Sequence, residues 1–233
     1  MTIARKISEL RSSELWARLH KLKRRVRFLR KPTPQIFDEI YQNNVWGDDE
    51  SISGHGSRLD RTAKLRAALP SLIRKYDCQS LLDIPCGDFN WMQSLGLEIE
   101  YIGADIVRDL IARNQEKYTS AHRKFVRQDI LRDPLPAVNL ILCRDCLVHF
   151  SNVDVMTALK NIRASGSKYL LATTFPERLR NEDIATGEWR PINLCQRPFN
   201  LPSPIELVDD TVDEPLYREK NLGLWKISAL PPF

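Results

Sequence analysis

Two short apolar runs in this chain are each closed by a carboxylate. They are Leu81-Leu82-Asp83 and Tyr101-Ile102-Gly103-Ala104-Asp105. Each run reads as a buried parallel strand that delivers a polar group to the C-terminal edge of a sheet, where open α/β folds bind ligands. The loop after the first run, Ile84-Pro85-Cys86-Gly87-Asp88, contains a glycine that allows close backbone approach. The second carboxylate, Asp105, has the chemistry to hold the two hydroxyls of a ribose. Together they point to a nucleoside cofactor.

The rest of the chain supplies the elements such a sheet needs. Strands are expected at 80–84, 100–104, 124–127, 138–143 and 168–173, and helices at 35–45, 58–76, 89–95, 107–118 and 153–164. Pro70 is expected to break or kink the second helix. Alternation at this spacing requires crossover connections and a mostly parallel, doubly wound sheet. Residues 205–209 and 222–229 read as two last strands, antiparallel to each other. Between them and the fifth strand, residues 175–204 carry Pro176, Pro191, Pro198, Pro202 and Pro204 and read as a lid over a site.

Charge is unevenly spread. Residues 1–31 hold 11 Lys or Arg against Glu9 and Glu14, a balance of +9, so the remainder of a chain with net charge +5 is slightly acidic. The basic character belongs to the first segment, and nucleic-acid binding by the domain is not expected. In that segment Ile3, Ile7, Leu10, Leu15, Leu19, Leu22, Val26 and Leu29 trace one face of a basic amphipathic helix. It fits packing on its own domain, a dimer contact, peripheral contact with an anionic membrane, or a targeting presequence that Glu9 and Glu14 disfavour. The chain divides into 1–33, this helix, and 34–233, the catalytic-type domain. No run reaches the ~18 apolar residues of a membrane span. Five scattered cysteines suit reduced thiols, so a cytoplasmic setting is expected, with peripheral contact at the inner membrane surface as the alternative the helix leaves open.

From about residue 35 to 230 the chain resembles the class I S-adenosylmethionine-dependent methyltransferases, with bacterial small-molecule and glycan methyltransferases among the relatives. The carrying residues are Asp83-Ile84-Pro85-Cys86-Gly87-Asp88-Phe89, Asp105 and Asp129. Pro85 and Phe89 stand where the family has glycines. The resemblance implies an α/β, Rossmann-like, doubly wound seven-stranded sheet, mostly parallel with a C-terminal antiparallel strand, plus the N-terminal helical extension. It implies that Asp83 serves the methionine amino group, Gly87 the backbone approach, Asp105 the ribose and Asp129 the adenine amino group, with Ile130 on the ring. Pro85, Ile106 and Arg144 are placed in the same pocket. The stretch Trp46-Gly47 to Ser53-Gly54-His55-Gly56-Ser57-Arg58 looks like a turn that closes over the cofactor in bacterial relatives, which makes Trp46, Gly54, His55, Ser57 and Arg58 cofactor-side residues.

The fourth strand leads into Cys143-Arg144-Asp145-Cys146-Leu147-Val148-His149-Phe150. His149 is the best general base in the sequence, and on a helical turn Asp145 would share its face and orient it or bind substrate. The alternative is a packing histidine with Asp145 as a cap. Zinc on Cys143 and Cys146 lacks a second ligand pair. A magnesium ion would use Asp145, although Thr173-Thr174 stands where a second acid pair would be needed; no metal is assigned. Arg144, Arg178, Arg190 and Arg197 are candidates for a phosphate or carboxylate on the acceptor, and Trp189 for its packing.

The activity expected is O-methylation of a sugar or other small polar acceptor, with S-adenosylmethionine consumed and S-adenosylhomocysteine produced. The alternative is a non-catalytic methyltransferase-like module acting through its basic helix. A nicotinamide-dependent oxidoreductase would need Gly-x-Gly-x-x-Gly after the first strand, which is not there.

Overall fold

The computed structural model describes Phe28 and residues 31–233. The basic helix expected over residues 1–33 falls outside the described residues except at its end, where Phe28 is buried with Ile36 and Ile40. Those two isoleucines come from α1, Thr33–Gln42, at the i, i+4 spacing that shares one face. Pro34 sits in its first turn, where the missing N–H would have had no partner. Helix α2, Ala63–Lys75, runs unbroken through Pro70, contrary to the expectation of a break. Leu65, Leu69, Leu72 and Ile73 are all buried along it, and that packing offsets the lost backbone hydrogen bond.

From there β1 (Ser80–Asp83), β2 (Glu100–Asp105), α3 (Arg108–Tyr118), β3 (Arg123–Arg127), β4 (Leu140–Cys143), α4 (Asn152–Ala164) and β5 (Tyr169–Thr174) follow in turn, then β6 (Glu206–Asp209) and β7 (Asn221–Lys226). They form one seven-stranded sheet in the order β3-β2-β1-β4-β5-β7-β6. Only β7 runs against the others, pairing antiparallel with both β5 and β6. The chain winds outward from β1 to β3 and then returns to lay β4 beside β1, so a crevice opens over the C-terminal ends of those two strands.

Period-two alternation sends Leu82, Ile141 and Leu170 to the layer containing α4, and Leu81, Leu140 and Leu171 to the layer containing α2. Both faces are therefore covered, which is why these strands read as continuous apolar runs. The helix expected at 89–95 is only a single 3₁₀ turn, Met92–Leu95. Phe89 adopts φ +62° and buries its ring between Tyr101, Tyr118 and Phe125, which takes up the start of that segment.

Residues 175–204 contain no helix or strand, yet Phe175, Ile192, Leu194, Phe199 and Leu201 are buried in the α4 layer. Twelve of its thirty residues are buried, and only residues 187–189 reach the crevice. Among the described residues no helix is long and apolar enough to cross a membrane.

Candidate active site

The crevice is a cavity of about 650 Å³ whose floor is the C-terminal edge of the sheet. That is room for a nucleoside-sized molecule with a small second ligand. On its β1–β3 side lie the three carboxylates singled out in the sequence. Asp83 is buried, and its Oδ2 accepts from the Tyr101 hydroxyl at 2.7 Å; burial pushes its pKa up to about 7. Asp105 takes the Gly87 N–H on Oδ2 at 3.2 Å and the Val107 N–H on Oδ1 at 3.0 Å. Burial, only partly countered by those backbone donors, raises it to about 6. Asp129 accepts the Leu131 N–H on Oδ1 at 2.9 Å, while its buried Oδ2 has no hydrogen-bond partner. Pro85, Ile106 and Ile130 complete this wall.

The N-terminal loop roofs this side. Gly87 has φ +54°, and a Cβ there would lie 2.3 Å from Ser53 Oγ, so the roof rests directly on the β1 loop. Asp88 holds it in place. Its Oδ2 accepts from Ser51 Oγ at 2.8 Å and from the Ile52 N–H at 3.0 Å, and its own N–H donates to Ser53 Oγ at 2.9 Å. Asp48 organises the next turn by taking the N–H groups of Glu50 and Ser51, with His55 Nδ1 at 2.8 Å. Backbone donors from Ser51 lead in holding the Asp48 carboxyl below its usual range. Trp46, Gly54, His55 and Ser57 line the cavity, whereas Arg58 is turned to Asp60 and Asp48 and does not.

On the β4–β7 side, four charges interlock. Arg144 grips Asp210 with Nε at 3.0 Å and Nη2 at 3.2 Å, and its Nη1 lies 3.2 Å from Asp145. Lys220 Nζ bridges Asp145 at 2.6 Å and Asp210 at 2.8 Å. Burial opposes charge on Asp145, yet Lys220 and Arg144 outweigh it and hold the carboxyl at about 2. Asp145 has φ +50°, with its N–H donating to Thr173 Oγ1 at 2.8 Å. Its carboxylate is thus occupied by two cations, and among the described residues no cluster of three or more His, Cys, Asp or Glu is placed to hold a metal ion.

His149 ends a 3₁₀ turn, Leu147–His149, rather than a helical turn shared with Asp145. Its partner is the Glu188 carbonyl, 2.9 Å from Nδ1. A carbonyl can only accept, so Nδ1 carries the proton and Nε2 is the basic nitrogen. The ring packs on Trp46 at 5.0 Å between centroids, and burial lowers its pKa below the usual 6.5. The segment that supplies Glu188 is stitched to this turn by Gly187 N–H to the His149 carbonyl at 2.8 Å and Arg190 N–H to that of Val148 at 3.0 Å.

The arginines expected to read an anionic acceptor are placed elsewhere, apart from Arg144. Arg190 is buried and donates to the carbonyls of Glu182 and Leu147 and to Asn152; burial lowers it to about 10. Arg178 lies 3.7 Å from Glu219, and Arg197 is exposed. Trp189 does line the cavity, against Tyr217 at 5.6 Å.

Sequence reasoning missed Asp88, Asp210, Lys220 and Tyr217. Asp210 carried the same signal as the others, a carboxylate just after a strand. Lys220 was readable only once β7 was known to run backwards, which brings its start to the functional edge.

No family model and no curated protein matches this sequence. Solved structures do match. The N-methyltransferase NodS from Bradyrhizobium japonicum WM9, in complex with S-adenosyl-L-homocysteine, aligns with a TM-score of 0.60 at 15% identity over 80% of this chain and 97% of its own. Magnesium protoporphyrin IX methyltransferase from Synechocystis PCC 6803, with S-adenosylmethionine bound, gives 0.55 at 12% identity over 83% and 96%. Human N-acetylserotonin methyltransferase, in complex with the same cofactor, gives 0.52 at 14% over 84% of this chain and 60% of that one. The chain has the class I S-adenosylmethionine-dependent methyltransferase fold.

Proposed function

We propose that this protein is an S-adenosylmethionine-dependent methyltransferase that acts on a hydroxyl of a small polar acceptor, with His149 Nε2 as the general base. The observation that carries the cofactor reading is the row of carboxylates Asp83, Asp105 and Asp129 along one cavity wall, with Asp129 Oδ2 buried and without a hydrogen bond, Arg132 Nε lying 4.0 Å away. An orphaned buried acceptor is costly, and the exocyclic amino group of an adenine would satisfy it. Asp105 would take the ribose hydroxyls on the lone pairs its two backbone donors leave free, and Asp83 the methionine ammonium. The bound cofactor supplies a methyl group on a sulfonium, ready for in-line displacement.

The chain's own contribution is placement and proton removal. Holding the acceptor oxygen close and in line is worth roughly 7–11 kcal/mol of barrier. His149, favoured in the neutral form by burial and held in the Nδ1–H tautomer by the Glu188 carbonyl, would take the acceptor's hydroxyl proton at Nε2 as the methyl group is transferred. Asp145, anchored by Lys220, is a positioning residue beside the transfer path.

Calorimetric titration of S-adenosylhomocysteine tests the cofactor reading. Micromolar binding to the full-length protein, lost in Asp105→Ala with the fold intact, is the expected result. A folded wild-type protein that binds none would overturn it.

A further inference from the structure

We infer that the acceptor carries no negative charge and is selected by Glu188, whose carboxylate receives a hydroxyl or ammonium donor from it; this deepens the methyl-transfer reading and rests on it. The acceptor half of the cavity, over β4 to β7, is walled by Trp46, Trp189 and Tyr217 around His149. Every cation among the described residues lining the cavity is already engaged. Arg144 and Lys220 are each held by both Asp145 and Asp210, and Arg61 by Glu214. A phosphate or carboxylate entering here would find no free positive partner to offset the loss of its hydration.

Glu188 itself is 3% exposed, takes the Ala185 N–H on Oε2 at 3.0 Å and leaves Oε1 without any partner. Buried carboxylate oxygens are ordinarily paired, so one that is not, in a cavity wall, calls for a donor from outside the chain. The terminal torsion of a glutamate is soft, so Oε1 is able to turn toward such a donor. The location is near the base: the carbonyl of the same residue accepts from His149 Nδ1 and fixes its tautomer. Aromatic faces on either side suit the flat apolar face of a sugar ring or an ammonium group.

The decisive variant is Glu188→Gln. Its amide oxygen can keep the bond to Ala185 N–H, while its NH₂ replaces the unpartnered acceptor by a donor. Ligand-observed NMR with saturating S-adenosylhomocysteine would measure binding of an uncharged methyl glycoside, an amino sugar, a uronic acid and a sugar phosphate to the full-length protein. The first two should bind and the last two should bind at least tenfold more weakly. Glu188→Gln should weaken the first two by about 10–100-fold, with S-adenosylhomocysteine affinity unchanged within twofold. Wild-type affinity in the variant, equal binding of the anionic probes, or binding of no probe overturns the inference while leaving the cofactor reading in place. No binding of S-adenosylhomocysteine to wild-type protein removes both.

Discussion

At the scale of single residues, the proposed mechanism makes the protonation of His149 set when the site can work. A buried imidazole resists its proton, so its pKa falls below 6.5, and the neutral form needed for catalysis persists to lower pH than in a free histidine. The rate should therefore rise with pH through a limb lying below pH 6.5 and stay level through neutrality. His149→Ala should lose about 10²–10⁴-fold in kcat and lose that limb, which a pH–rate profile on both proteins checks. The residues that carry this chemistry were partly legible in the sequence. His149 stood out as a base at a strand edge, but its partner did not. Asp145 is four positions away and looked like the orienter, whereas the tautomer is set by the carbonyl of Glu188, 39 positions on. Which backbone oxygen meets a ring nitrogen is a matter of loop course, and the sequence carries no period for that.

At the scale of elements, the roof loop and the β1 loop form one unit through Asp88. The hydroxyls and N–H of residues 51–53 converge on that carboxylate, and Gly87 leaves the space in which Ser53 sits. Asp88→Ala should release the roof without unfolding the domain. S-adenosylhomocysteine binding should weaken by about tenfold or more, as for loss of hydrogen bonds to a charged group, while the thermal midpoint changes little. Calorimetry paired with a melting curve reads both; unchanged affinity would show that the roof does not depend on Asp88. The strands themselves were readable because both faces are buried and apolar. The helix expected at 89–95 was not, because Phe89 takes a left-handed backbone conformation to place its ring in an aromatic cluster. Likewise α2 keeps Pro70 because the sheet beneath it supplies more than the proline removes.

At the scale of the whole molecule, Arg144, Asp145, Asp210 and Lys220 join β4 to the end of β6 and the start of β7. This is where the antiparallel strand closes the sheet over the site. Lys220→Met would leave Asp145 and Asp210 sharing one guanidinium. Breaking a fully buried pair costs roughly 3–5 kcal/mol; because Asp145 is partly open to solvent, about 2–4 kcal/mol is expected from denaturant unfolding. The Asp145 carboxyl should also rise from about 2 once its ammonium partner is gone, so added stability loss should show at mildly acid pH, as protonation of Asp145 removes its remaining pair with Arg144.

By itself the sequence determined the sheet, its parallel winding and the three carboxylates at its edge, since burial on two faces imposes apolar runs and every strand end is a local event. Only the tertiary structure decided which charges are free. Arg144 and Arg190, which looked available for an anionic acceptor, are bound to Asp210, 66 positions away, and to Leu147 and Asn152, 43 and 38 positions away. Glu188 is left with a side-chain oxygen that has no hydrogen-bond partner, while its carbonyl holds the His149 ring. Pairing of charges depends on distances through space, and those exist only once the chain has folded.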